Sequence, residues 1–436
     1  MIKTHYRTIV RAAFLVTAVF FTQTAIATLA ETIFKKAEHY TVKIEVSIEK
    51  PFIWDSKSSA SATGFVVDLK RGWILTNAHV AGRSPAQIVI SFKGGEQFKA
   101  RTVYVDPLLD IAVLQAPLDK IHKGTLQAKM DCQNIAQSGQ PVGAYGHPYG
   151  LSYTATRGIV SGTNIIGGNE RLQTDAPINS GNSGGPLISL QSGKVVGINT
   201  AKVKAKGVDG LNFAIASPYA CRIIDLLKAG KDPSPVIMPA IFLEEDEPLP
   251  PVVAMIPGNT TNSPLKEGDI VISVNGSKTA ISSIDRLQHE MRGLGPKVTW
   301  RVKRNNRLMD IKLEVKRMPR VDQQVGVYVS GLLISKNIVR KDEQNGKGTP
   351  LMVHYAGRGT AATLQQFREF DYIVAIDGKR YSSSKDLYRY LKSIKKGNAV
   401  TIKVKRYAQN YRRTYDYYEM KLPVKDLEWL DFKSGA

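Results

Sequence analysis

From about Val42 to Ala216 the apolar residues come in short runs set apart by Gly, Asn, Asp and Pro. Gly64-Phe65-Val66-Val67, Ile88-Val89-Ile90, Ile111-Ala112-Val113-Leu114 and Val195-Val196-Gly197-Ile198 are examples. Such runs, with few segments of helical period, predict an all-β barrel or sandwich. Tyr219 to Leu227 (YACRIIDLL) breaks the rhythm and predicts a single closing helix. Pro233 to Pro251 follows, dense in proline and carrying the acidic cluster Glu244-Glu245-Asp246-Glu247, and its first part reads as a linker.

Beyond the linker the chain repeats itself. Asp269-Ile-Val-Ile-Ser-Val-Asn-Gly276 returns as Asp371-Tyr-Ile-Val-Ala-Ile-Asp-Gly378, and Val298-Thr-Trp-Arg-Val-Lys-Arg304 as Val400-Thr-Ile-Lys-Val-Lys-Arg406. Between the two strings each copy predicts one amphipathic helix, with Ile284, Leu287, Met291 and Leu294 on one face in the first and Leu387, Leu391 and Ile394 in the second. A common offset of about a hundred residues means tandem domains rather than a solenoid.

The 436 residues allow about three domains at roughly 150 residues each. A hydrophobic fraction of 43% with 22% charged residues excludes a disordered chain. The two cysteines, Cys132 and Cys221, cannot build a small disulfide scaffold or a four-cysteine zinc site. A net charge of +22 excludes an acidic tail or a calcium buffer. The seven histidines are scattered and none pairs at ligand spacing, so no metal is expected; nor is a cofactor, since no phosphate-cradling motif occurs. Lys3, Arg7 and Arg11, the apolar Ala12–Phe21 and then Ala25-Ile26-Ala27 read as a secretory signal over residues 1–27. An uncleaved anchor is the alternative, but the stretch is short of the ~20 residues that span a bilayer. Export to a periplasm is expected; there the two thiols either pair or stay buried and free.

Three strings carry chemistry: Leu75-Thr76-Asn77-Ala78-His79-Val80, Asp110-Ile111-Ala112-Val113-Leu114 and Gly181-Asn182-Ser183-Gly184-Gly185-Pro186. A serine hydroxyl needs an adjacent base to become a nucleophile, and imidazole can take that proton and return it to a leaving amine. A carboxylate must fix the imidazole's tautomer, and backbone N–H groups must meet the developing oxyanion. This reading makes Ser183 the nucleophile, His79 the base and Asp110 its orienting acid, with the Gly181 and Ser183 amides as oxyanion hole and the Asn182 amide turned elsewhere. Each string alone also fits a structural role. Together, in the order His…Asp…Ser, they match chymotrypsin-like barrels. The competing nucleophile elbow, G-x-S-x-G, needs its acid and histidine after the serine; only His289 and His354 follow, both inside the repeated modules.

TNAHV, DIAVL and GNSGGP, with Thr174-Asp175-Ala176 upstream and Asn212-Phe213-Ala214-Ile215 downstream, resemble the HtrA/Deg family of trypsin-like serine proteases, and the tandem modules resemble its PDZ domains. The resemblance implies a mainly β chain: a chymotrypsin-like double β-barrel protease domain at 28–230, a divergent first PDZ domain at 231–320 and a second at 321–436. It also implies an ATP-independent endoprotease of the cell envelope, often with a chaperone-like role, that handles unfolded or misfolded exported polypeptides. Homo-oligomers, trimers or larger, are implied too, seeded by aromatic residues before the barrel; Phe34 and Tyr40 are the nearest. Leu211, Asn212 and Phe213 stand where the family lines its S1 pocket, with a preference for small aliphatic side chains, although a glycine usually precedes this Phe. Pro51 to Ala62 and Asn164 to Leu172 stand for two short loops, the latter the family's sensor loop. In the first module Pro239-Ala240-Ile241-Phe242 lacks the glycine of a carboxylate-binding loop, while Ser330-Gly331-Leu332-Leu333 in the second keeps it. The second module is therefore the one expected to take peptide C-termini.

Residues 322–436 hold 21 Lys and Arg against 12 Asp and Glu. Arg301, Lys303, Arg304, Lys403, Lys405 and Arg406 alternate with apolar residues, giving either a solvated strand face or weak attraction to an anionic membrane surface. Nucleic acid is not expected in an exported protein without a recognised binding module. A function of another class stays open beside the protease: a peptide-binding scaffold or holdase whose triad is seldom assembled.

Overall fold

The computed structural model describes residues 29–166, 169–202, 211–243, 249–257, 263–336, 351–407 and 414–432; the expected signal and the acidic cluster Glu244–Glu247 lie outside them. Residues 29–37 form helix α1. The first barrel consists of β1 (Thr41–Ile48), β2 (Ser58–Asp68), β3 (Trp73–Thr76), β4 (Gln87–Ser91), β5 (Gln97–Asp106) and β6 (Ile111–Gln115). They close in the order β1-β2-β3-β6-β5-β4. The alternating or continuous apolar runs turn Ile44, Phe65, Leu75, Ile90 and Val113 into its fully buried core. The one-turn helix α2 (Ala78–Ala81) follows β3.

A second barrel has β7 (Pro141–Gly146), β8 (Thr154–Ile166), β9 (Asn169–Thr174), β10 (Pro186–Ser189), β11 (Val195–Lys202) and β12 (Asn212–Ala216), closed as β10-β11-β12-β9-β8-β7. Helix α3 (Ser217–Lys228) ends it, covering the segment read as a closing helix. Two expected loops are partly strand. Pro51–Ala62 is loop only to Lys57, since β2 pairs with β1 from Ser58 onward (Ile48↔Ser58). Asn164–Leu172 is the tip of the β8–β9 hairpin, paired down to Ile166↔Asn169. Tyr40 is buried and Phe34 stacks on Tyr145 at 5.9 Å, so both aromatics are used within the chain. Cys132 and Cys221 are bridged, tying the segment between the barrels to α3 across 89 residues. Closing a loop of that size removes about 4–5 kcal/mol of unfolded-chain entropy.

The first C-terminal module comprises β13 (Val236–Ile237), β14 (Ile241–Phe242), β15 (Val253–Met255), β16 (Ile270–Val274), helix α4 (Ile284–Met291), β17 (Lys297–Arg304), β18 (Arg307–Glu314) and β19 (Lys316–Arg317). The second has β20 (Gly326–Val329), β21 (Leu332–Lys336), β22 (Leu351–Ala356), the short α5 (Ala361–Leu364), β23 (Tyr372–Ile376), α6 (Ser384–Ser393), β24 (Ala399–Tyr407), β25 (Tyr415–Pro423) and β26 (Glu428–Leu430). The repeat in sequence is a repeat in bonding. Buried Asp269 pairs with Arg304 at 2.6 Å, as buried Asp371 does with Arg406. Asn275-Gly276 and Asp377-Gly378 turn with positive φ at both residues, which matches a type I′ geometry. Asn275 and Asp377 then accept the N–H of Thr299 and Thr401, each at 2.7 Å. Ser283 and Ser383 cap the matching helices.

Both modules dock on the barrels. The first buries the Arg292–Asp106 ion pair and hydrogen-bonds Ser283 Oγ to Glu170 Oε2 at 3.0 Å. The second packs Leu333, Leu430 and Phe432 around Phe52. Its His354 Nδ1 accepts the Ile53 N–H at 3.3 Å, and its Glu428 pairs with Lys50.

Candidate active site

Strand β3 ends at Thr76, and α2 carries His79 exposed on its one turn. The facing turn ends in Asp110, held at φ +63°, a region costly for a non-glycine residue. The turn is held by bonds on both sides. Asn77 Nδ2 donates to the Asp110 carbonyl (3.0 Å), and the His79 N–H donates to Asp110 Oδ1 (3.0 Å). The His79 ring meets the same carboxylate through Nδ1, 2.9 Å from Oδ2 and 3.0 Å from Oδ1. With Nδ1 donating, Nε2 keeps its lone pair for a proton. Burial raises the Asp110 carboxyl, but the His79 ring and the Thr200 hydroxyl hold it net below the usual carboxylate range. The acid is thus ionised at neutral pH.

Ser183 lies on the second barrel, in the loop before β10. Its hydroxyl donates to the Thr200 carbonyl at 3.3 Å, and the Thr200 hydroxyl donates to Asp110 Oδ2 at 2.5 Å. Thr200, which no motif singled out, therefore touches both the serine and the acid. The loop is clasped by Thr63 of β2. Thr63 N–H donates to the Ser183 carbonyl (3.0 Å) and Thr63 Oγ1 to the Gly181 carbonyl (2.6 Å). Oγ1 in turn accepts the His147 N–H (3.0 Å). Asn182 N–H is turned back to the Asn179 carbonyl (2.9 Å), whereas among the described residues the N–H groups of Gly181 and Ser183 are paired with no backbone carbonyl. Gly181 sits at φ +103°, and a Cβ there would lie 2.2 Å from the His147 carbonyl oxygen, so only glycine fits. His147 is buried edge-on to Tyr153 at 4.7 Å, and burial with nearby Lys43 lowers its pKa to about 4, so it stays neutral.

The other expected positions serve different ends. Asn212 is buried, with Oδ1 accepting the Ile178 N–H (3.3 Å) and Nδ2 donating to the Thr174 carbonyl (3.4 Å); Phe213 is buried as well, and only Leu211 keeps partial exposure. Asn212 thus ties β12 to the segment that follows β9. In the second module Gly331 forms a tight β20–β21 turn with Ser330, and Leu332 and Leu333 are fully buried. Strand β21 pairs with β20 on one edge and β22 on the other, and β26 covers the far edge of β20. Strand β21 thus presents no unpaired edge to an incoming peptide. In the first module, among the described residues, β14 pairs with β15 alone and leaves Ile241 exposed beside buried Phe242. The basic strand faces are largely paired: Arg301 with Asp310, Lys403 with Glu419, and Arg304 and Arg406 with the buried aspartates. Among the described residues no group of three His, Cys, Asp or Glu could hold a metal ion, and no helix is long and apolar enough to cross a membrane.

Two closed six-stranded barrels, with a serine and a histidine–aspartate pair carried on opposite barrels, define the class of trypsin-like serine peptidases. The family model for the trypsin-like peptidase domain matches residues 62–198. A probable DegP-like periplasmic serine endoprotease of Chlamydia pneumoniae is 30% identical over 370 residues, covering 79% of this chain and 73% of its own. Periplasmic serine endoprotease DegP of Escherichia coli K12 is 27% identical over 356 residues, with 77% and 73% covered. The solved structure of HtrA-type protease AlgW with a tripeptide matches with a TM-score of 0.51 at 26% identity, over 66% of this chain and 97% of that one. This chain belongs to the DegP-like HtrA family of periplasmic serine endoproteases. It is a serine endopeptidase, and its compartment is the periplasm.

Proposed function

We propose that the protein hydrolyses unfolded or misfolded exported polypeptides, without ATP, through Ser183, His79 and Asp110. The observation that carries this reading is the His79–Asp110 contact at 2.9 Å with Thr200 joining the same carboxylate to Ser183. The Ser183 hydroxyl first swings from the Thr200 carbonyl toward His79 Nε2. His79 takes the proton as Oγ attacks the scissile carbonyl, and the oxyanion is received by the N–H groups of Gly181 and Ser183. The imidazolium, steadied by Asp110, gives its proton to the leaving amine. Water then repeats the sequence on the acyl-enzyme and restores the serine. The swing makes the resting site one step short of readiness, which suits an enzyme among folded neighbours it must spare.

The two repeated modules are read as PDZ domains at about 231–320 and 321–436. The first takes extended peptide segments by strand addition beside Ile241 and Phe242 of β14, and the second serves as a brace on the first barrel. The working form is a homo-oligomer, a trimer or larger. Cleavage of reduced, unfolded casein by the purified protein and by Ser183→Ala tests the chemistry. The variant is expected to lose roughly 10⁴–10⁶-fold in rate. Equal rates would transfer the activity elsewhere; equal inertness under peptide activation would favour a holdase.

A further inference from the structure

Asp106 begins the turn that delivers Asp110. Its carboxylate is fully buried: Oδ1 accepts the N–H groups of Leu108 (3.1 Å) and Leu109 (3.0 Å), and Oδ2 accepts the Tyr104 hydroxyl (3.0 Å) and Arg292 Nη1 (2.5 Å). Arg292 stands at the C-terminal end of α4 in the first module and is fully buried too. Its Nη1 also donates to the Pro233 carbonyl (2.5 Å), and its own carbonyl accepts from Arg222 of α3 (2.9 Å). At the other end of the turn, Arg171 of β9 donates to the Leu109 carbonyl (3.4 Å). One cation from the module and one from the second barrel thus grip the five residues that end in the strained Asp110.

We propose that Arg292 is a positioning residue for the catalytic acid: by pairing with Asp106 it fixes the turn 106–110, so the first C-terminal module completes a site otherwise built on the barrels. This rests on the assignment of His79, Asp110 and Ser183 made above. A buried pair contributes little net stability over an apolar isostere of the same shape, and Arg292 Nε and Nη2 are buried without partners. Orientation, rather than cohesion, is what the pair supplies. Without the guanidinium, Asp106 keeps an uncompensated charge in a dry place; it turns toward water, and Leu108, Leu109 and Asp110 follow it.

The test uses the full chain, with Arg292→Met keeping the packing without the charge, Arg292→Lys as the conservative variant and exposed Arg301→Gln as control. Kinetics on a fluorogenic peptide are read with the downfield proton resonance of His79 Nδ1–H. Arg292→Met is expected to lower kcat about ten-fold or more with KM within about two-fold, and Arg292→Lys to recover part of the loss. The resonance should broaden or vanish in Arg292→Met, and adding Asp106→Asn should cost nothing further, since the two act as one unit. If Arg292→Met does not fold, Asp106→Asn alone is read in the same way. A kcat within about two-fold of the parent with the resonance intact overturns the brace, as does a rise in KM at constant kcat. Ser183→Ala separates the two levels. If it is inert while Arg292→Met is fully active, only the brace fails; if it is active, the triad itself is wrong.

Discussion

At the scale of single residues, Thr200 does more than its place in the chain suggests. Its hydroxyl holds Asp110 and its carbonyl holds the resting Ser183 hydroxyl. Thr200→Val keeps the shape and removes only the hydroxyl. A hydrogen bond to a charged group contributes about 1.5 kcal/mol or more, so kcat should fall about ten-fold or further, with KM little changed. Steady-state kinetics on a peptide substrate check it; an unchanged kcat would show that Asp110 is held without Thr200. His79 and Asp110 were legible because each sits in a short string whose composition fits its chemistry. Thr200, in VVGINTAK, and Thr63, in SATGF, look like ordinary β-branched strand residues. Their roles come from contacts with residues more than a hundred positions away for Thr63 and 90 for Thr200, which no local pattern records.

At the scale of elements, the tandem strings foretold β16, α4 and β17 and their counterparts β23, α6 and β24, because each copy carries its own turn, cap and buried aspartate. What the strings could not tell was which strand edges stay open. Ser330-Gly331 suits a carboxylate-binding loop and a hairpin turn equally well; the outcome was decided by β20, a four-residue strand with no strong signal of its own. The turn is tightly built. Gly331 lies at φ +92°, and a Cβ would fall 1.9 Å from Thr360 Oγ1. Gly331→Ala should therefore destabilise the second module by about 1–3 kcal/mol. Calorimetry should show one transition moving down while the protease domain's stays; no movement would mean that the turn is not formed as described. The same nonlocal pairing explains why Pro51–Ala62 and Asn164–Leu172 read as loops. Their polar tips hide strands whose partners lie across a hairpin.

At the scale of the whole molecule, stability depends on pH through groups buried at the contacts between parts. Burial holds His289 at about 3 and His354 at about 4, and His147 beside the nucleophile loop at about 4. Unfolded histidine titrates near 6.5, so below that the unfolded chain takes up protons that the native protein refuses. The stabilisation is complete above pH 6.5 and drains away toward pH 4. Asp285, raised to about 6 by burial against β9, acts the opposite way: the native state keeps its proton longer, and stability falls as pH rises from about 4 to 6. Burial raises the Glu369 carboxyl as well, so three histidines oppose two carboxyls, and the urea midpoint should drop from pH 7 to pH 4.5. His289, packed edge-on to Tyr219 at 5.2 Å with Nδ1 unpartnered, is the place to look. His289→Leu should flatten the decline, measured by urea titrations at both pH values; an unchanged slope would mean that His289 is not buried neutral between α4 and α3.

All three scales meet at one hydroxyl. The most direct measurement is the reaction of the full-length protein with a fluorophosphonate, followed by peptide mapping in a mass spectrometer. One adduct is predicted, on Ser183, formed far more slowly in His79→Ala and not at all in Ser183→Ala. Labelling of another residue with loss of proteolysis, or an adduct on Ser183 that forms as fast without His79, would contradict the account.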